Sequence, residues 1–235
     1  MQDWLAVVNN ADMNDPRNDH VMLAVRIAND APQMVGEMVD LLFEPDRSIQ
    51  SKMLILNALE VVQDSSHTPR LIALTGPEVD PALRASVAMM LGRSDEESVK
   101  QCLNRLKSDP ERRVRLAALN SLTMQGDHEA REALYDMYLQ PETPASYRGR
   151  IAFTLAMAPE PGDIEVLCAA APDSEIELNT RIQAAAALGR LGDAAALPAL
   201  EKCAESGAPE ELRDLARHAI DAIRARSGTT PDQPS

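Results

Sequence analysis

Aromatic side chains are scarce in this chain: one tryptophan, three tyrosines and two phenylalanines make up 3% of its 235 residues. A hydrophobic content of 45% must therefore be packed from Ala, Leu, Val, Ile and Met, small or flexible side chains that let helices approach closely. Cysteine is nearly as rare. Cys102, Cys168 and Cys203 are odd in number and form no CxxC pair, which argues against a disulfide framework and for buried thiols in a reducing compartment. There is no apolar run of about 18 residues, which excludes a membrane-spanning helix. The start, Met1 to Leu5, has neither the basic region nor the apolar block of a signal peptide, so a cytoplasmic protein without membrane insertion is expected. Basic residues are in deficit too, 23 against 37 acidic ones for a net charge of −14. That balance opposes phosphate backbones, whose binding is driven by Lys and Arg, and generic nucleic-acid binding is not expected. Gly-rich phosphate loops, GxSxG and zinc-type spacings are missing, and the expectation is no cofactor, no metal and no catalytic residue.

What the chain has instead is a repeat. A turn rich in proline and acids precedes a basic or His anchor, with small or aliphatic residues four and seven positions later. The anchors are His20, Lys52, Arg84, Arg115, Arg148, Arg181 and Arg213, spaced by 31 to 33 residues. Self-similarity at this period specifies a solenoid of stacked helical hairpins. The pattern predicts first helices near 3–12, 33–43, 67–75, 95–107, 128–139, 162–170 and 193–205. Second helices, carrying the anchors, are predicted near 19–29, 47–62, 80–92, 111–125, 145–157, 175–191 and 209–226. Pro16, Pro45, Pro77, Pro110, Pro141, Pro172 and Pro209 mark the turns, each able to stop one helix and open the next.

The stretches 106–122, LKSDPERRVRLAALNSL, and 180–193, TRIQAAAALGRLGD, resemble HEAT repeats, in the version also called the phycobilisome-lyase-like HEAT repeat. The resemblance implies an all-α, right-handed α-α superhelix of about seven hairpins. It covers residues 1–226, with repeats near 1–30, 31–62, 63–93, 94–125, 126–158, 159–191 and 192–226. The copies at the ends depart from the pattern, with His20 as the first anchor and Arg217 in a small-residue position. A terminal repeat needs a polar outer face, so such departures are expected there. Residues 227–235 lack apolar periodicity and are expected to be disordered.

An acid stands six residues before five anchors: Asp46 before Lys52, Glu78 before Arg84, Asp109 before Arg115, Glu142 before Arg148 and Glu175 before Arg181. The resemblance implies that acid and base pair within or between repeats as a structural ladder. A carboxylate at a helix start also opposes the macrodipole. Repetition in every unit suits packing rather than catalysis, and charge reversal at Arg115 is expected to lower stability without removing a single activity. Gly189 and Gly192 read as close packing and helix capping. A HEAT-repeat oxygenase holds its irons with several His-Glu dipeptides, whereas this chain has one, His128-Glu129, which reads as an exposed helix start. A HEAT-like alkylated-DNA glycosylase needs a basic channel and aromatics; here Tyr135, Tyr138, Tyr147 and Phe153 cluster near the fifth repeat and read as core or rim.

In HEAT solenoids the second helices usually line the concave face. Columns three, four and seven past the anchor are mainly apolar and read as core, which leaves columns two and five for the inner surface. Asn57, Met89, Asn120, Arg150 and Phe153 are the candidate partner-binding residues there, although Met89 and Phe153 could equally complete the core. Residues 81–118 form a local basic island of eight basic against five acidic side chains. Within it Arg112 and Arg113, with Arg150 one repeat later, are suited to an acidic partner segment. The function expected is a scaffold or adaptor that binds a partner protein or peptide. The alternatives are a phycobilin-lyase-like or chaperone role and an oxygenase-like oxidoreductase.

Overall fold

The computed structural model describes residues 34–62 and 65–226. The expected first repeat, with Trp4 and His20, and the expected tail at 227–235 lie outside the described residues. Among the described residues all regular structure is helical and no strand occurs, so the fold is an all-α solenoid of helix pairs. The chain divides into two compact units at Gln125 and Gly126. The first holds α1 (Met34–Leu42), α2 (Ile49–Val62), α3 (Thr68–Ala73), α4 (Pro81–Leu91), α5 (Glu97–Leu106) and α6 (Arg112–Met124). The second holds α7 (His128–Leu139), α8 (Ala145–Met157), α9 (Ile164–Ala170), α10 (Leu178–Leu191), α11 (Leu197–Cys203) and α12 (Glu210–Arg226). Odd-numbered helices are the first members of their pairs, and even-numbered helices carry the anchors.

Turn chemistry sets the boundaries. Asp80 caps α4 by accepting from the N–H groups of Ala82 and Leu83, with Pro81 at the first helical position. That combination satisfies orphan donors and pre-sets the backbone for a helix. Asp127 caps α7 through the Ala130 N–H at 2.9 Å. Gly192 ends α10 in the left-handed region, φ 75°, where a side chain would be strained. Helices α7 and α8 span 128–139 and 145–157, as the sequence pattern predicts. The start of α11 departs most: residues 194–196 form a 3-10 turn, opened by Asp193 accepting from Ala195 N–H, and the α-helix follows at Leu197.

The core is read directly from the columns. Three residues past the anchors stand Ile55, Val87, Ala118, Ile151, Ala184 and Ala216, each fully buried. Seven past them, Leu59, Leu91, Leu122, Leu155, Leu188 and Ile220 are all buried. Burying each such Leu or Ile contributes about 1.5–3 kcal/mol relative to exposure. Within the first unit α4 packs most extensively on α6; within the second, α10 packs on α12 and α8 on α10. Small residues bring these helices together. A Cβ on Gly189 would stand 2.9 Å from that of Ala219, and one on Gly92 would stand 2.4 Å from that of Ser121. Both glycines lie eight residues past an anchor and face the position six past the next one. Ser121 Oγ also donates to the Ala88 carbonyl at 3.0 Å.

Candidate functional site on the outer face of the second helices

At 100° per residue, positions two, five and nine past an anchor fall within an arc of about 60°, opposite the core columns three, four and seven. Six large hydrophobic residues are exposed among the described residues: Phe43, Met89, Met124, Leu139, Phe153 and Met157, between 42% and 55%. Four of them lie on this arc, Met89 and Phe153 in column five, Met124 and Met157 in column nine. The other two end first helices, and Phe43 is covered on one side by the Arg70 guanidinium, 5.2 Å from its ring centre. Exposed apolar surface on the second helices is thus confined to one stripe in each unit.

Of the seven residues expected to bind a partner, Asn57, Met89, Arg113, Arg150 and Phe153 are exposed. Arg112 is half-buried. Asn120 departs from the expectation: it is only 6% exposed, and its Oδ1 has no hydrogen-bond partner. A column position alone does not set exposure. Met89 and Phe153 are surface residues rather than core. The basic island is also dispersed. Arg84 is buried, Arg93 pairs with Glu60 at 3.5 Å, Arg105 donates to Thr75 Oγ1 at 2.6 Å, and Arg113 is exposed.

Two of the ladder arginines, Arg84 and Arg148, bond across repeats. Arg84, 3% exposed, grips Asp109 of the next repeat with Nε at 3.1 Å and Nη2 at 2.9 Å, and donates through Nη1 to the carbonyls of Pro77 and Val79. Asp109 also accepts from the Glu111 N–H at 2.8 Å. The second unit repeats this design: Arg148 Nη2 reaches Asp173 at 3.1 Å and Glu175 at 2.8 Å, and those two carboxylates, Glu175 first, hold its pKa above the ordinary arginine value. Arg115 and Arg181 instead cap carbonyls, Arg115 those of Asp109 and Pro110, Arg181 that of Ala171. Glu78, Asp46 and Glu142 are exposed turn residues. The acid six residues upstream of Arg84 is not its partner; the partner lies 25 residues downstream.

Two further arrangements carry no simple sequence signal. Gln125 donates to the carbonyls of Gly92 and Ser94, Arg190 to that of Ala156 at 2.6 Å, and Arg226 to those of Gly189 and Arg190. Each reaches back to close the C-terminal end of the preceding second helix, where orphan carbonyls and the negative dipole end favour a cation. The second is a buried charge network. Asp163, fully buried, receives Arg131 Nη1 at 2.7 Å, Tyr135 Oη at 2.6 Å and the Glu160 N–H at 2.6 Å. Burial, then the hydrogen bond to Asp163, push the Tyr135 hydroxyl pKa well up. The only hint in the sequence is Arg131 and Tyr135 at a four-residue spacing, with an acid one repeat later. All its charges are paired, which suits an inter-repeat clamp.

The thiols are free. Cys102 and Cys203 are buried, whereas Cys168 is half-buried and departs from the expectation. Among the described residues no group of three His, Cys, Asp or Glu side chains converges to hold a metal ion. His128 is exposed at the start of α7, its Nδ1 3.7 Å from Glu160. No described helix is long and apolar enough to cross a membrane. The first unit has a cavity of about 420 Å³ whose lining includes Val35, Val39, Leu59 and Leu71 together with Glu60, Arg93 and Glu96, charges of mixed sign.

A family model described as HEAT repeats matches residues 68–146 and 138–221. No curated protein matches the sequence. The chain is similar to a solved structure of human deoxyhypusine hydroxylase in complex with glycerol, at 15% identity and a TM-score of 0.31, over 87% of this chain and 99% of that one.

Proposed function

The chain belongs to the HEAT-repeat family, and on that premise we propose that it is a protein-interaction scaffold or adaptor. Each unit offers its own docking surface on the outer stripe of its second helices, with Asn57, Met89 and Arg113 in the first, edged by Arg112, and Arg150 and Phe153 in the second, for a partner protein or peptide. The observation that carries this reading is the placement of the exposed apolar side chains. Scattered single apolar residues on a surface need no explanation, but four of six fall in one arc that faces away from the core. Met and Phe flanked by amides and arginines suit recognition of a segment whose backbone is paired and whose side chains are covered.

The test is capture of partners from the source cell by the full chain, beside Met89→Ser/Phe153→Ser and the control Leu139→Ser. A stoichiometric partner lost by the double variant and kept by the control supports the scaffold reading. A partner indifferent to the stripe, or equally weakened by Leu139→Ser, counts against it. The charge-reversed pair Arg112→Glu/Arg113→Glu asks separately whether the basic edge contributes.

A further inference from the structure

Resting on the scaffold reading, we infer that the outer face of α8 and α10 receives an acidic amphipathic segment of a partner protein. Residues 126–235 carry 19 acidic and 10 basic side chains, yet α8 and α10 contain no aspartate or glutamate at all. Their outward side chains are Arg150, Phe153 and Met157 on α8, with Gln183 and Arg190 on α10, all exposed. On α12 the carboxylates return, with Glu211, Asp214 and Asp221 exposed, and this marks the edge of the site. An acid-free, cation-bearing strip inside an acidic unit has a defined sign.

Phe153 and Met157 stand one helical turn apart, a spacing that makes their side chains neighbours on the helix surface. They offer a single apolar contact patch, 44% and 51% exposed. Arg190 is already fixed at the end of this patch, since its Nη2 donates to the Ala156 carbonyl at 2.6 Å. A guanidinium held in place loses less freedom on binding a carboxylate than a free one. The acidic surplus elsewhere in the unit does not cancel this. At physiological salt the Debye length is about 8 Å, so charges in the turns are screened, whereas the side chains under the bound segment are not. A basic segment would meet no carboxylate from α8 or α10 and would set its charge against the Arg190 guanidinium. The segment that fits carries one or two large apolar side chains flanked by Asp or Glu, with the Gln183 amide positioned for its backbone.

The experiment selects random 12-residue peptides displayed on phage against the full chain. The enriched peptides are then synthesised and titrated by fluorescence anisotropy against wild type, Arg150→Glu, Arg150→Gln, Phe153→Ser/Met157→Ser and, as a control outside the stripe, Leu139→Ser. Circular dichroism and thermal melts establish that each variant is folded; all these side chains are exposed. The expected result is enrichment of Asp and Glu together with Leu, Phe or Met, and affinity at least tenfold weaker for Phe153→Ser/Met157→Ser and for Arg150→Glu. Arg150→Gln should be intermediate, Leu139→Ser should match wild type, and binding should weaken as salt rises. Peptides that need Phe153 and Met157 but are basic or uncharged overturn the acidic specificity and leave the scaffold reading standing. Peptides indifferent to the stripe, or no enrichment at all, overturn both.

Discussion

Replacing Arg84 with Met should destabilise the protein far more than the same change at Arg115, although the two occupy equivalent sequence positions. Arg84 is 3% exposed and makes four hydrogen bonds, two to Asp109 and two to backbone carbonyls. Truncating it leaves the Asp109 carboxylate, whose side chain is 7% exposed, with the Glu111 N–H among its described partners. Breaking a buried ion pair by removing one partner costs about 3–5 kcal/mol. Arg115 is half-buried and donates to two carbonyls without touching a buried carboxylate, so about 1–2 kcal/mol is expected from lost hydrogen bonds. Asp109→Asn in the Arg84→Met background should restore part of the loss, because the stranded charge is then gone. The assay is urea unfolding of the full chain followed by far-UV circular dichroism, with the slope checked for a single transition. Equal costs at the two positions, or less than about 1 kcal/mol at Arg84, would refute the claim that cross-repeat pairing distinguishes them.

Gly189→Val should cost about 1–3 kcal/mol through overpacking, since its Cβ would meet Ala219 at 2.9 Å. Gly207→Val, with nothing within 4 Å, should change stability by under about 0.5 kcal/mol in the same assay. Asp163→Asn should lower the melting temperature more than Tyr135→Phe, because it weakens the partner of Arg131 as well as the tyrosine hydrogen bond. Burial pushes the Cys203 thiol from 9.0 up to about 11, with Arg181 and Lys202 opposing. The unfolded chain therefore releases this proton first, and stability is whole below pH 9 and falls as pH rises towards 11. Cys203→Ala should flatten that decline in thermal melts between pH 8 and 11, and an unchanged slope would assign the decline to other groups. With a thiol-specific reagent, half-buried Cys168 should react before buried Cys102 and Cys203.

The columns were legible because burial repeats. Ile55, Val87, Ala118, Ile151, Ala184 and Ala216 answer to the same environment, and six copies of one constraint outweigh any local exception. Helix ends were legible where a single residue fixes them, as Asp80 and Pro81 do for α4. What failed was inference that needed the neighbouring repeat. Asp109 lies six residues before Arg115, close enough in sequence to suggest a local pair, yet its carboxylate goes to Arg84 while Arg115 takes its carbonyl. Local spacing cannot rank a contact made one turn away against one made across a stack, because the stacking distance is absent from the sequence. The same blindness separates Met89 from Asn120. They share column five, and one is 44% exposed, the other 6%.

This difference between averaged and individual properties bears on where function can be read. A scaffold's packing must be satisfied in every repeat, so packing residues recur; a partner is met by particular copies, so recognition residues do not. The departures from the repeat rule are accordingly the informative positions. Column two holds Ala117 in the first unit, buried in the stack, but Arg150 in the second, exposed beside Phe153. Column nine holds Met124 and Met157, large and uncovered, where a solvent-facing helix position would ordinarily be polar. Neither choice follows the packing rule: an exposed Met gains little from the folded state, and the arginine stands where Ala117 is buried in the first unit. Substituting Met157 with Gln should then leave the melting temperature within about 2 °C of wild type, as surface changes of under about 0.5 kcal/mol do. The same change should weaken a stripe-bound segment severalfold in the anisotropy titration. A marked loss of stability instead would place Met157 in the packing and remove it from the recognition surface.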